Sequence, residues 1–211
     1  MARDTPARRR PGLSRARVLE AAVSVADRDG LGAVTMRRLG AELGVEAMSL
    51  YKHIADKDDI LDGMVDLVFG EIELPAGEGD WRGTMRPRVS SAREVLSRHS
   101  WAIGLFESRG AVGPATLRYV DSTLGALRSA GFSVEDAGYA FSLLDSFVYG
   151  HVTQEASASV PSTGEGDPPA GQGDYPYLAE VMEPGRGFSF DSAFEFGLEL
   201  LLEALEARRV N

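Results

Sequence analysis

Apolar residues recur along this chain every three or four positions. Val18, Ala22 and Val25 form one stripe, Leu39 and Leu43 a second, and Ile60, Leu61, Met64, Val65 and Val68 a third. Further along, Val89, Ala92 and Leu96 repeat the pattern with Trp81 or Met85, as do Leu117, Val120, Leu124 and Leu127. This is the period of amphipathic helices that each bury one face. No convincing strand alternation, internal repeat or heptad array interrupts it, so the pattern predicts an all-α fold.

Polar punctuation sets the ends of these helices. Ser14 is placed to cap the first, with Leu13 and Val18 as a hydrophobic staple, and Gly30 stops it after about Asp29. Thr35 caps a second helix, with Val34 and Leu39 as its staple. Gly44 ends that helix as a residue free to turn left-handed, and Val45 packs back. Gly40 sits where two closely crossing helices want no side chain. A third helix, 46–52, begins at once, with Leu50 inward and Met48, Ser49, Tyr51 and Lys52 outward. Asp56 caps a fourth over 56–70, with Asp58 and Asp59 on its N-terminal dipole. The Leu74–Asp80 stretch is a Pro/Gly break.

Beyond it the pattern predicts a helix over 81–98 and a short apolar piece from Trp101 to Phe106. Another helix opens at Pro114 and closes at Gly131. Ser133 and Asp136 open a helix to about 155 that carries Ala137, Phe141, Leu144, Val148 and His151 on one face. Residues 157–174, SASVPSTGEGDPPAGQGD, predict a flexible loop. A short helix is expected over 175–183 and a final one over 191–208. In that last helix Phe194, Leu198, Leu201 and Leu205 make one stripe, and Phe196, Leu200 and Leu202 widen it toward a second face. A terminal helix that is apolar on two faces needs a second cover, and another copy of the chain supplies it.

Charge sharpens the picture. The net charge is −10, which alone argues against a nucleic-acid partner. Residues 1–57, however, hold 11 Lys and Arg against 7 Asp and Glu, a balance of +4, which leaves −14 for the rest. A basic quarter on an acidic body suits a small DNA-reading head. Residues 1–13 read as a disordered basic arm. Its Arg8, Arg9 and Arg10 serve either as a phosphate or minor-groove contact or as a solvated tail.

Chemistry is sparse. The 211 residues include no cysteine, which excludes disulfides, thiolate metal sites and cysteine nucleophiles. Three scattered histidines give no metal spacing. Ser49 to Lys52 matches S-x-x-K, but S-D-N and K-T-G are missing and the match falls on an outward helix face. No G-x-S-x-G, P-loop or H-E-x-x-H occurs. A non-enzyme without cofactor or metal is expected. No apolar stretch is long enough to span a membrane, and the N-terminus lacks the apolar run of a secretory signal, so a cytoplasmic protein is expected.

Residues 35–57, TMRRLGAELGVEAMSLYKHIADK, remain the most specific stretch. Two short helices at a tight turn, followed by an aromatic-basic ending, suit the insertion of a helix into the major groove of DNA. Thr35, Arg37, Leu43-Gly44-Val45, Ser49-Leu50-Tyr51, His53 and Lys57-Asp58 resemble the DNA-binding domain of the tetracycline-repressor (TetR) family of bacterial regulators. The resemblance runs from about Ser14 to Val68. In the body, Arg98-His99-Ser100-Trp101, Gly113-Pro114, Ala130-Gly131-Phe132 and Phe147-Val148-Tyr149-Gly150 resemble the tetracycline-repressor type of C-terminal domain. The family's usual His-Pro pair is His99-Ser100 here.

The resemblance implies an N-terminal three-helix helix-turn-helix domain with its connecting helix (14–70) and a larger helical ligand-binding and dimerisation domain (81–211). It implies a homodimer through the 136–155 and 191–208 helices, on a pseudo-palindromic double-stranded operator with half-sites about 34–36 Å apart. The expected DNA-contacting residues are Thr35, Arg37, Arg38, Ala47, Met48, Ser49, Tyr51, Lys52, His53 and Lys57. Arg37 suits a guanine edge or a phosphate. Tyr51 and Lys57 suit phosphates that fix register, and Ala47 and Met48 offer apolar contact to thymine methyls. With so few hydrogen-bonding readers on this helix, Arg37 and Arg38 are expected to carry more of the specificity. A small-molecule effector is expected in the aromatic middle of the body. The candidates are His99, Trp101, Phe106, Tyr119, Phe141, Leu144, Asp145 and Val148, each of which also reads as ordinary core or, for His99, as a structural histidine. Glu73 and the lack of a matching polar set argue against tetracycline itself. The function implied is a repressor released by its effector. A DNA-binding architectural protein without inducer, and a helical ligand-binding protein or enzyme, stay open as alternatives.

Overall fold

A computed structural model describes residues 12–76, 80–110, 113–158, 175–181 and 189–209. The N-terminal arm up to residue 11 and most of the expected 157–174 loop lie outside these residues. Among the described residues there are ten α-helices and no strand.

The first three helices form a small head. Helix α1 (Arg15–Asp29) begins where the Ser14 side chain accepts from the Arg17 amide at 3.4 Å and ends at Gly30, φ 81°. A single 3₁₀ turn leads to α2 (Met36–Leu43), capped by Thr35 and closed by Gly44 in the left-handed region, φ 69°. Helix α3 (Ala47–Leu50) is shorter than the 46–52 that the sequence predicts, because Tyr51 to His53 form a turn instead. Val18, Ala22, Val25, Val34, Leu39 and Leu50 are sealed from solvent and hold the head together. Each large side chain among them contributes about 1.5–3 kcal/mol.

Helix α4 (Lys57–Phe69) joins head to body. Its first turn is fixed by Asp56, whose carboxylate accepts from the Asp59 amide at 2.8 Å. It packs on α1 and also meets α5 (Trp81–Arg98), α6 (Trp101–Arg109) and α7 (Pro114–Ser129). The apolar piece expected at Trp101–Phe106 is thus part of a true helix, three residues longer. Helix α8 (Val134–Ala158) is fixed at its start by a reciprocal pair. Ser133 Oγ accepts from the Asp136 amide at 3.0 Å and donates to the Asp136 carboxylate at 2.7 Å. It runs to Ala158, so Ser157 and Ala158 belong to the helix and not to the expected loop. Helices α9 (Pro176–Val181) and α10 (Phe190–Glu206) complete the chain.

The body core lies between α5, α7, α8 and α10. Two expected stripes differ there in some of their positions. In α7 the buried line is Thr116, Tyr119, Thr123 and Leu127, while Leu117 is exposed. In α10 Leu202 is buried and Leu201 only partly so. Tyrosine and threonine can take inward positions because their hydroxyls find partners: Thr123 Oγ1 donates to the Tyr119 carbonyl at 2.7 Å.

Candidate DNA interface and ligand cavity

The head presents a narrow reading edge. Thr35 Oγ1 accepts from the Arg38 amide at 3.2 Å, which leaves the hydroxyl proton free to donate outward. Gly40 lets α3 approach α2. A Cβ there would stand 2.9 Å from the Val45 carbonyl oxygen and 3.1 Å from the Ala47 amide nitrogen. That closeness leaves Ala47 and Ser49 half-buried while Met48, at 73% exposure, and Tyr51, at 48%, protrude. His53 is half-buried in the turn after α3. Arg37, Lys52 and Lys57 are exposed and make no ion pair among the described residues. Their charge is therefore available to a polyanion.

Arg38 departs from this set. Its guanidinium pairs with Asp29 at 2.8 Å and approaches Glu42 at 3.8 Å, and Arg28 pairs with the same Glu42 at 3.1 Å. These contacts tie α2 to α1. Arg38, expected among the readers, is exposed and paired in this way.

The body holds a cavity of about 200 Å³ lined by Phe69, Phe106, Tyr119, Val120, Phe141, Ser142, Asp145, Ser146 and Tyr149. Its walls are mostly aromatic. Phe69 packs against Phe106 at 4.9 Å and edge-on against Tyr119 at 5.4 Å between ring centres. Asp145 supplies the polar floor. One of its oxygens accepts from the Tyr119 hydroxyl at 2.8 Å and from Arg88 at 2.6 Å, and the other accepts from the Tyr149 hydroxyl at 3.2 Å. Burial, with the Asp145 charge nearby, pushes both tyrosine hydroxyls above their ordinary range, so they remain protonated donors.

Four of the eight expected ligand residues line this cavity: Phe106, Tyr119, Phe141 and Asp145. Leu144 and Val148 do not. They are fully buried on the neighbouring face of α8, within the hydrophobic core. His99 and Trp101 do not line it either, because both turn toward the head. His99 Nδ1 lies 2.8 Å from the Asp27 carboxylate of α1, and Trp101 Nε1 donates to the same oxygen at 2.7 Å. These two side chains form a joint between head and body. The charged residue that the pattern missed is Arg88, which is completely buried beside Asp145. Its position carried a signal: it falls three residues after Met85 and four before Ala92, in line with an apolar stripe.

Helix α4 touches both regions. Arg109 of α6 pairs with Asp58 at 3.0 Å and Asp62 at 2.5 Å near its head end. In α7, the Thr116 amide donates to Asp66 at 2.9 Å. Phe69, in its last turn, is part of the cavity wall.

This architecture coincides with known proteins over nearly its whole length. Residues 18–64 match the description of bacterial regulatory proteins of the tetR family, and residues 74–209 match the tetracyclin repressor-like C-terminal domain. The chain belongs to the TetR family. Among its TetR relatives is an HTH-type transcriptional regulator of Saccharopolyspora erythraea, 34% identical over 95% of this chain and 87% of that protein. The transcriptional repressor DrrR1 of Streptomyces coeruleorubidus is 33% identical over 93% of this chain and 78% of its own length. Among solved structures, a possible TetR family regulator from Streptomyces coelicolor A3(2) superposes with a TM-score of 0.75 at 33% identity, covering 93% of this chain and all of that one. The TetR protein ActR of Streptomyces coelicolor, in complex with actinorhodin, superposes with a TM-score of 0.74 at 29% identity, covering 93% and 98%. TetR proteins are DNA-binding transcription factors and not enzymes, so the S-x-x-K match at Ser49 is coincidental. They bind operator DNA as dimers and take small-molecule ligands. No helix among the described residues is long and apolar enough to cross a membrane.

Proposed function

We propose that this protein is a homodimeric repressor that grips a pseudo-palindromic operator and lets go when an aromatic small molecule enters the body cavity. Arg37, Met48, Tyr51, Lys52 and Lys57 form the DNA face, with Thr35, Ala47, Ser49 and His53 shaping it. Tyr139 and Leu143 of α8 and Phe196 and Leu200 of α10 are large apolar side chains left exposed in a single chain, and they supply the dimer contact. The dimer acts in the cytoplasm, where its DNA lies.

The observation that carries this reading is the double attachment of α4. The helix packs on α1 of the head, and its last turn provides Phe69 to the cavity. An occupant that displaces Phe69 shifts α4 along its contacts with Arg109 and Thr116, and with it the spacing of the two heads. A ligand can move this balance only by binding the released arrangement better. A near-complete switch needs about ten-thousand-fold preference, about 5.5 kcal/mol. The ActR complex with actinorhodin supports a ligand-holding body of this kind.

The test is retention on DNA from upstream of the protein's own gene, with competitor DNA present and candidate effectors added. Competitor-resistant binding that an effector abolishes supports the reading. Specific binding that no cavity-bound compound relieves would leave an architectural DNA-binding role instead.

A further inference from the structure

Helix α1 is tied at both ends, and to different parts of the molecule. At its start Arg15 pairs with Asp59, in the first turn of α4, at 2.7 Å. Twelve residues further on, about 18 Å along the helix, Asp27 reaches the corner where α5 ends and α6 begins. One oxygen of its carboxylate meets two ring nitrogens, Trp101 Nε1 at 2.7 Å and His99 Nδ1 at 2.8 Å. A carboxylate only accepts, so both rings turn an N–H toward it. On its other side, His99 Nε2 lies 3.5 Å from Glu71, which also pairs with Arg98 at 3.0 Å.

This corner is firmly seated in the body. Val95 and Leu96 before it and Ala102, Ile103 and Leu105 after it are buried. His99 is itself only 7% exposed, and its ring stands edge-on to that of Trp101 with centres 6.1 Å apart. Exposed pairs of long, flexible side chains hold a joint weakly. Here a charged acceptor meets two stiff rings, and hydrogen bonds to a charged partner are the stronger kind.

The head side of the tie leads on to the reading edge. Asp29, two residues after Asp27, pairs with Arg38 of α2 at 2.8 Å, and Arg28 pairs with Glu42 of α2 at 3.1 Å. The end of α1 that is fastened to the body therefore also holds α2, and α3 is set closely against α2 at Gly40. A head held by α4 alone could rock about that helix. A second attachment at the far end of α1 removes that freedom.

We infer that Asp27 is a positioning residue for DNA reading: with His99 and Trp101 it fixes the tilt of the head on the body, and so the separation at which a dimer offers its two reading helices. None of the three lines the aromatic cavity, and none belongs to the DNA face. The effect on operators rests on the repressor reading; the fixing of the head does not.

The lack of cysteine in the chain makes the test direct. Ala41→Cys in α2 and Ser129→Cys in α7, both at exposed positions, take spin labels. An excess of unlabelled full-length protein keeps each measured pair within one chain. Double electron–electron resonance without DNA should give one narrow head-to-body distance when no further residue is changed. Asp27→Ala, and independently His99→Phe/Trp101→Phe, should broaden it while helical circular dichroism and the melting transition show a folded protein. Asp27→Asn keeps an amide oxygen that can accept from both rings and should lie between. The same variants, unlabelled, should lose about fivefold or more in affinity for an operator selected from a random pool. They should also penalise an operator lengthened by one base pair at its centre less than the wild type does, a change that loss of folded protein alone does not produce. A distance that stays narrow in both folded variants, or that is already broad with Asp27 in place, overturns the inference. So does broadening that leaves operator affinity and spacing preference unchanged. A wild type that selects no operator contradicts the repressor reading instead, and the distance then still decides whether Asp27 fixes the head.

Discussion

Single side chains divide cleanly by what they touch. Arg37 and Lys57 are both exposed cations without a partner among the described residues, yet they should fail differently. Arg37→Ala should weaken specific operator binding by about 1–3 kcal/mol and relax preference at one base position. Lys57→Ala should weaken all sequences alike and lower the slope of affinity against salt by about one ion. Gel retention over a salt series, on matched and mismatched operators, separates the two. An equal loss for both variants on every sequence would remove Arg37 from the reading role.

A second residue-scale effect concerns His151, where α8 meets α10. Its ring lies edge-on to Phe190 and Phe194, and its Nε2 is buried without an acceptor. Burial, then the Arg93 charge, lower its pKa below the ordinary imidazole value, although Glu155 and Asp191 oppose the shift. The folded state therefore binds its proton less readily than the unfolded chain does. The stability linked to neutral His151 is full above about 6.5, the ordinary value, and is lost as the pH falls through the lowered one. Thermal denaturation should show a decline over that window, and His151→Phe should flatten it.

At the scale of elements, capping residues and close crossings set the geometry. Gly40 shows how tightly. Alanine gains about 1 kcal/mol over glycine in a helix interior. Against that, the three atoms nearest to a Cβ at Gly40 are all backbone, at 2.9, 3.1 and 3.3 Å, and overpacking typically costs about 1–3 kcal/mol. Backbone cannot swing aside, so Gly40→Ala should lower the urea midpoint and disorder α3 against α2. A stabilised protein with intact DNA retention would show that the crossing has slack.

The ends of α1, α2, α4 and α5 were legible in the sequence because Ser14, Thr35, Gly44, Asp56 and the flanks of Trp81 are local signals. The α7 stripe was not, because its inward face is set by hydroxyl groups whose partners are distant or backbone. Tyr119 turns inward for Asp145, 26 positions away. The turn of His99 and Trp101 toward the head is hidden for the same reason: nothing near them in the chain announces Asp27, more than 70 positions earlier. Arg88 broke a stripe and was passed over, although a charge within an apolar line is itself a signal of pairing. The pairing of Arg38 is not legible either, because Asp29 and Glu42 look like ordinary surface residues in sequence.

For the whole molecule, the acidic body and the basic head make sense only as an assembly that faces DNA with one end. Phe196 and Leu200 are 69% and 50% exposed in the single chain, an apolar face that a second copy would cover. A Phe196→Glu/Leu200→Glu double variant should run as a monomer in sedimentation and lose operator retention, while its helical circular dichroism persists. A dimer that survives both charges would move the interface elsewhere. The central claim is a two-headed reader of DNA, and footprinting on the DNA upstream of its own gene tests it most directly. The account predicts a competitor-resistant footprint with two protected half-sites about 34–36 Å apart, related by an approximate dyad. Weak, steeply salt-dependent binding without a symmetric footprint, on that DNA and on operators selected from a random pool, would contradict it.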